Sequence, residues 1–150
     1  MDALSNLQIS RSMRRFSQFL GVFPSNRNPL HFISSFPCCF IMNSLSQSHG
    51  GHWLAFYLVS PNHLEFFDSL GKSLNSYIEI SPYFSQIPNI ISNKFPLQTT
   101  MSTLCGDFAI SFLSLRMSGF SFSYIIHIFK RYSKGISRNT FIRRIRLLLK

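Results

Sequence analysis

The sequence has 150 residues, 45% of them hydrophobic and 13% charged, with 15 Lys and Arg against 5 Asp and Glu for a formal charge of +10. Seventeen Phe and a positive mean hydropathy exclude a disordered chain, which lacks the apolar material to offset the entropy of folding. A chain of this size removes roughly 70% of its unfolded surface on folding as one domain. Residues 1–150 are therefore read as a single domain, with a basic helical part over about 120–150. The charge is lopsided: residues 1–107 hold six cations and all five carboxylates, whereas residues 108–150 hold nine cations and no carboxylate.

Taken in chain order, residues 3–20 carry Leu4, Leu7, Ile9, Met13, Phe16 and Leu20 at mostly helical intervals, with Arg11, Arg14 and Arg15 on the other side, and predict an amphipathic helix ending near Gly21. Val22 to Phe36 is punctuated by Pro24 and Pro29 and reads as an irregular connection, followed by a buried strand over Cys38–Met42. Ser44 to Gly51 is polar and ends in glycine, a loop. Trp53 to Val59 and Leu64 to Phe67 are aromatic-rich apolar runs separated by Ser60-Pro61-Asn62-His63, a hairpin.

Beyond Gly71 a short helix is expected within Tyr83–Ile91, interrupted by Pro88, and a brief strand over Phe95–Leu97. From Cys105 the spacing of Phe108, Phe112 and Leu115 is helical up to Gly119. A further helix is expected over Ser123–Tyr132 and a last one over Thr140–Lys150, capped by Asn139 or Thr140. The order helix, sheet, helices is α+β, with a small mixed or antiparallel central sheet and flanking helices.

The longest candidate for a membrane span, Phe112 to Phe129, contains Arg116 and His127 and falls short of about 20 clean apolar residues, so it is read as core. The N-terminus has no apolar stretch of the signal-peptide kind, and three cysteines, two of them adjacent, make a poor disulfide framework. No membrane association and no secretion are expected, and the compartment is read as reducing.

Three residues stand where nucleophilic chemistry would need them. Cys105 opens the strongest helical pattern, where unpaired N–H groups and the positive end of the helix dipole favour a thiolate. His52 begins one strand of the hairpin and Asp68 ends the other, so the antiparallel pairing makes them neighbours at one sheet edge. A thiol, a base and an orienting carboxylate are what nucleophilic catalysis requires. Cys38 and Cys39 lie inside an apolar strand and are read as packing. His49 and His52 flank two glycines without a second His/Cys pair at matching spacing, so no metal site is expected.

The segments Phe19-Leu20-Gly21-Val22-Phe23, Cys38 to Asn43, Gly50-Gly51-His52-Trp53, Leu64-Glu65-Phe66-Phe67-Asp68-Ser69-Leu70-Gly71, Leu97-Gln98 and Ser102-Thr103-Leu104-Cys105-Gly106 occur in this order over roughly residues 17–115. Together they resemble the ordered motifs of the adenovirus protease family, adenain, including its relatives in virus-like transposons and, within the same papain-like clan, the SUMO deconjugases. The resemblance implies Cys105 as nucleophile, His52 as general base and acid, and Asp68 as orienting carboxylate. Gln98 and the Cys105 backbone N–H would receive the oxyanion, and Trp53 would pack beside the imidazole. It also implies cleavage of viral or virus-like precursor proteins in the host nucleus or the virion, by an enzyme that needs no cofactor for its chemistry but is open to activation by DNA and a viral peptide. The adenovirus enzymes carry Glu where this chain has Asp68, and the cysteine that couples to the peptide has no counterpart, since no Cys lies between Cys39 and Cys105. Asp107, at a position often apolar or aromatic in relatives, is expected to cap the helix start.

In the last helix Phe141, Ile142, Ile145, Leu148 and Leu149 form an apolar face, leaving Arg143, Arg144 and Arg146 to project with Lys130 and Arg131 of the preceding helix. These five are the expected phosphate contacts of non-specific DNA binding. A monomer is expected. Two other functions fit the same residues: a protease that removes ubiquitin or a ubiquitin-like tag, and a non-catalytic DNA-binding module.

Overall fold

The unbroken apolar runs of Cys38–Met42 and Trp53–Val59 have a common cause, because both strands lie inside a sheet that is covered on both faces. The computed structural model describes residues 3–46, 50–98, 103–132 and 137–149. Its elements are α1 (Asn6–Met13), β1 (Phe19–Phe23), β2 (Cys38–Asn43), β3 (Trp53–Ser60), β4 (His63–Phe67), β5 (Asn89–Ser92), α2 (Cys105–Met117), α3 (Phe122–Tyr132) and α4 (Arg138–Leu148). The five strands form one sheet in the order β1-β2-β3-β4-β5. The inner pairs β2–β3 and β3–β4 are antiparallel, and the outer pairs β1–β2 and β4–β5 are parallel. The fold is thus α+β with a mixed sheet and flanking helices.

Successive strand residues point to opposite faces, and the two cores divide accordingly. Cys39, Ile41, Trp53, Ala55, Tyr57 and Phe67 face the helices, where Phe67 stacks on Phe112 of α2 with ring centroids 4.8 Å apart. Phe40, Met42, Leu54, Phe56 and Phe66 face the opposite side, which is closed by 3-10 turns at Leu74–Ser76 and Ser81–Phe84. There Phe84 stacks on Phe56 at 4.9 Å, and Phe56 stacks on Phe40 at 5.0 Å. Ten of the thirteen residues of α2 are buried, which is why its sequence shows little polar face. Arg116 leaves this helix to make a double hydrogen bond with the buried Glu65 of β4, at 2.7 and 3.0 Å.

Four expectations are corrected. The first helix spans only Asn6–Met13, opened by a Ser5–Gln8 capping box, and Phe19–Phe23 is instead a strand. The run is apolar enough for either state, and pairing of Phe19 and Val22 with Cys39 and Ile41 of β2 decides for strand. The expected helix within 83–91 is a 3-10 turn at Ser81–Phe84 followed by β5, whose residues pair with His63–Phe66. Phe95–Leu97 is not a strand; its end is held by a loop contact, with the backbone N–H groups of Leu97 and Gln98 donating to the Ser69 carbonyl at 2.7 and 3.2 Å. The last helix starts at Arg138 with Ser137 as cap, its hydroxyl accepting from the Thr140 N–H at 3.3 Å. Lys150 lies outside the described residues.

Candidate active site

The site forms where the start of β3, the end of β4 and the first turn of α2 meet. In the hairpin Ala55 pairs with Phe67, so the residues before Ala55 run beside those after Phe67. His52 is fixed by its own backbone: its N–H donates to the Ser44 hydroxyl at 2.9 Å, and its carbonyl accepts from the Ser44 N–H at 2.8 Å. The approach to it needs glycine. Gly51 has φ +83°, and a Cβ there would lie 2.1 Å from Asn43 Oδ1.

The His52 side chain is 13% exposed and its Nε2 lies 2.6 Å from Oδ1 of the fully buried Asp68. With Nε2 on the carboxylate, Nδ1 remains for the thiol of Cys105, and each of the two groups shifts the other's titration. Cys105 is the first residue of α2 and is 6% exposed. Burial alone would raise its thiol, but the His52 hydrogen bond, the backbone N–H groups of Trp53 and Gly106 and the charge of His52 outweigh it, and the thiol sits below its ordinary value. Burial likewise pulls His52 down, yet the hydrogen bonds to Asp68 and Cys105 push it up to about 9. Opposite shifts in two neighbouring groups, the thiol down and the imidazole up, are the directions in which a thiolate and an imidazolium stabilise each other.

Asp68 is held from every side. Its Oδ1 also accepts from the Leu70 N–H at 2.8 Å, and its Oδ2 accepts from the Tyr77 hydroxyl. Asn93 is buried just beyond β5, whose Ser92 pairs with Phe66 in parallel register, and this places its carboxamide on the Asp68 main chain. Asn93 Oδ1 accepts from the Asp68 N–H at 3.0 Å, and Nδ2 donates to the Asp68 carbonyl. The turn that follows packs tightly: Gly71 has φ +73°, and a Cβ there would lie 2.3 Å from the Phe95 carbonyl carbon. Neither Tyr77 nor Asn93 is legible as a site residue in the sequence. Both reach Asp68 through the β4–β5 crossover, which carries no local pattern pointing to it.

Gln98 is half-buried and its backbone is anchored on Ser69, next to Asp68; residues 99–102, which join it to the Cys105 segment, lie outside the described residues. Trp53 donates its indole N–H to the Leu4 carbonyl at 2.9 Å and packs against the start of α2, where a Cβ on Gly106 would lie 3.2 Å from Trp53 Cδ1 and 3.1 Å from Leu4 Cβ. It therefore joins the N-terminal segment to the helix that Cys105 opens. Asp107 lies buried in the first turn of α2, where a carboxylate complements the helix dipole; the cap position itself is Leu104, which gives no side-chain hydrogen bond.

Lys130, Arg131, Arg143, Arg144 and Arg146 are all exposed, on helices that contribute no residue to the cluster of Cys105, His52 and Asp68. Lys130 Nζ lies over the Phe95 ring, 4.4 Å from its centroid. Arg146 lines a cavity of about 620 Å³ between α1, α2 and α4 together with Arg15 and Asp107. The basic surface thus includes Arg11 of α1 and Arg14 and Arg15 just after it, which are exposed as well.

No family model matches the chain. A search of curated proteins gives no match either. Among solved structures the chain is similar to the central domain of an uncharacterized protein from Legionella pneumophila, with 16% identity, a TM-score of 0.56 and 99% of each chain covered. That likeness concerns the fold.

Proposed function

We propose that this protein is a cysteine endopeptidase of the adenain type, acting through Cys105, His52, Asp68 and Gln98. The observation that carries the reading is the position of the His52 imidazole between the Asp68 carboxylate and the Cys105 thiol. The thiolate attacks a peptide carbonyl carbon, and the carbonyl electron pair moves to oxygen, where the Cys105 N–H and the Gln98 side-chain amide receive it. His52 gives its proton to the leaving amine as the tetrahedral species collapses to a thioester. A water then loses its proton to His52, attacks the thioester and releases the acid and the thiolate. Asp68 keeps the imidazolium oriented throughout. Viral or virus-like precursor proteins are the substrates in this reading, and the exposed cations of α3 and α4 supply a surface for non-specific DNA.

Incubation with precursor proteins of the encoding element, with cleavage read by the new N-termini formed, tests the reading. Wild-type protein cleaves, and Cys105→Ala and His52→Ala each abolish cleavage without unfolding the protein. Cleavage that survives Cys105→Ala overturns it. Adduct formation with a vinyl-sulfone form of a ubiquitin-like tag would redirect the substrate class to deconjugation. Retention on DNA-cellulose that falls steeply between about 50 and 200 mM salt checks the basic surface.

A further inference from the structure

We propose that Tyr77 is a positioning residue of the site, the fourth member of a chain that runs from Cys105 through His52 and Asp68 to the Tyr77 hydroxyl. The inference rests on the reading of Cys105, His52 and Asp68 as catalytic machinery and names a residue outside it.

A buried carboxylate needs a donor for each oxygen if it is to stay charged in one orientation. Oδ1 of Asp68 has two donors, His52 Nε2 and the Leu70 N–H. Oδ2 is served by the Tyr77 hydroxyl from across the crossover. Without that donor Oδ2 would lose its hydrogen bond inside the protein, the carboxylate would be held at one oxygen only, and its charge would cost more to keep. The hydroxyl thus fixes the carboxylate plane that the imidazole meets and stabilises its charge.

Burial and then the Asp68 hydrogen bond push the Tyr77 phenol well above its ordinary value, so it remains a donor at any pH where the enzyme would work. The titratable groups facing Asp68 among the described residues are His52 from the start of β3, Cys105 from the start of α2 and Tyr77 itself; the residue after β5 that meets Asp68 is the neutral Asn93.

Tyr77 is also built to hold its place without the hydroxyl. Its N–H donates to the Leu74 carbonyl at 3.0 Å, and its own carbonyl accepts from Ile80 and Ser81 at 3.0 and 2.8 Å. Leu74 and Ile80 on either side are buried, and the ring meets Phe66 edge-on at 6.2 Å. Removing one oxygen leaves this anchoring intact, so Tyr77→Phe isolates the hydrogen bond.

The test is the rate of Cys105 alkylation by iodoacetamide across pH, which needs no substrate. Wild type shows a thiolate below the ordinary thiol range. In Tyr77→Phe the acid limb moves up by about one pH unit, since the lost donor lets a proton reach the His52–Asp68 pair earlier, while the thermal midpoint changes little. In an Asp68→Asn background the same substitution adds no further shift, because Tyr77 acts only through Asp68. An acid limb unmoved by Tyr77→Phe, or an equal shift in both backgrounds, overturns the proposal. If Tyr77→Phe does not fold, 3-fluorotyrosine at position 77, a stronger donor of nearly the same size, replaces it, and an acid limb that does not move down overturns the proposal. Absence of a low-titrating thiol in wild type would instead refute the catalytic reading.

Discussion

Replacing Asp68 by Asn keeps the shape of the site and removes the charge that holds His52. The imidazole is held at about 9 against an ordinary value of 6.5, although burial works in the other direction. That gap corresponds to about 3 kcal/mol in favour of the imidazolium in the folded state, in a side chain only 13% exposed. After burial the Asp68 hydrogen bond is the largest influence, ahead of Cys105, so Asp68→Asn removes the greater part of this preference. Because the folded value lies above the unfolded one, the stabilisation is fully present below about pH 6.5 and is lost as pH rises through about 9. The stability difference between wild type and Asp68→Asn is therefore expected to be largest near pH 6, about 2 kcal/mol, and to shrink as the pH passes 9.

A neutral His52 also withdraws the charge that stabilises the thiolate. The iodoacetamide profile of Cys105 in Asp68→Asn moves toward the ordinary thiol value of about 8.5, and peptide cleavage falls by two to four orders of magnitude. The measurement is selective, since burial pushes Cys38 up to about 11 and, with the neighbouring Cys38 adding to it, Cys39 up to about 12. An Asp68→Asn profile superimposed on that of wild type, or a wild-type Cys105 that titrates like a free thiol, would refute the reasoning.

Other substitutions separate chemistry from folding. Gln98→Ala is expected to lower kcat by about two orders of magnitude while leaving Cys105 alkylation unchanged, which steady-state kinetics and iodoacetamide rates together check. Gly51→Ala forces a Cβ to 2.1 Å from Asn43 Oδ1 at a left-handed φ and is expected to lower stability by more than about 1 kcal/mol, read as a lowered urea midpoint. Arg116→Ala leaves the buried Glu65 without its double hydrogen bond, and a loss of about 3–5 kcal/mol is expected, a fall of roughly 10 °C or more in Tm by calorimetry.

Local pattern and tertiary structure divide this protein cleanly. The hairpin and the helix opened by Cys105 are short-range features, and the sequence states them through Ser60-Pro61-Asn62-His63 and the spacing of Phe108, Phe112 and Leu115. Antiparallel pairing then brings His52 to Asp68 with no further information, because a hairpin fixes which residues face each other. The parallel edges of the sheet are different. The strands at Phe19–Phe23 and Asn89–Ser92 exist because β2 and β4 offer backbone groups to pair with, and runs of five and four residues do not announce that in advance. With β5 come Asn93 and the crossover that delivers Tyr77 to Asp68. The charge follows the same rule: the sequence by itself determines an excess of cations, concentrated after residue 107. Only the packing of α1 against α2 beside α4 lines one cavity with Arg15 and Arg146, since side chains distant along the chain share a surface only once the core between them has formed.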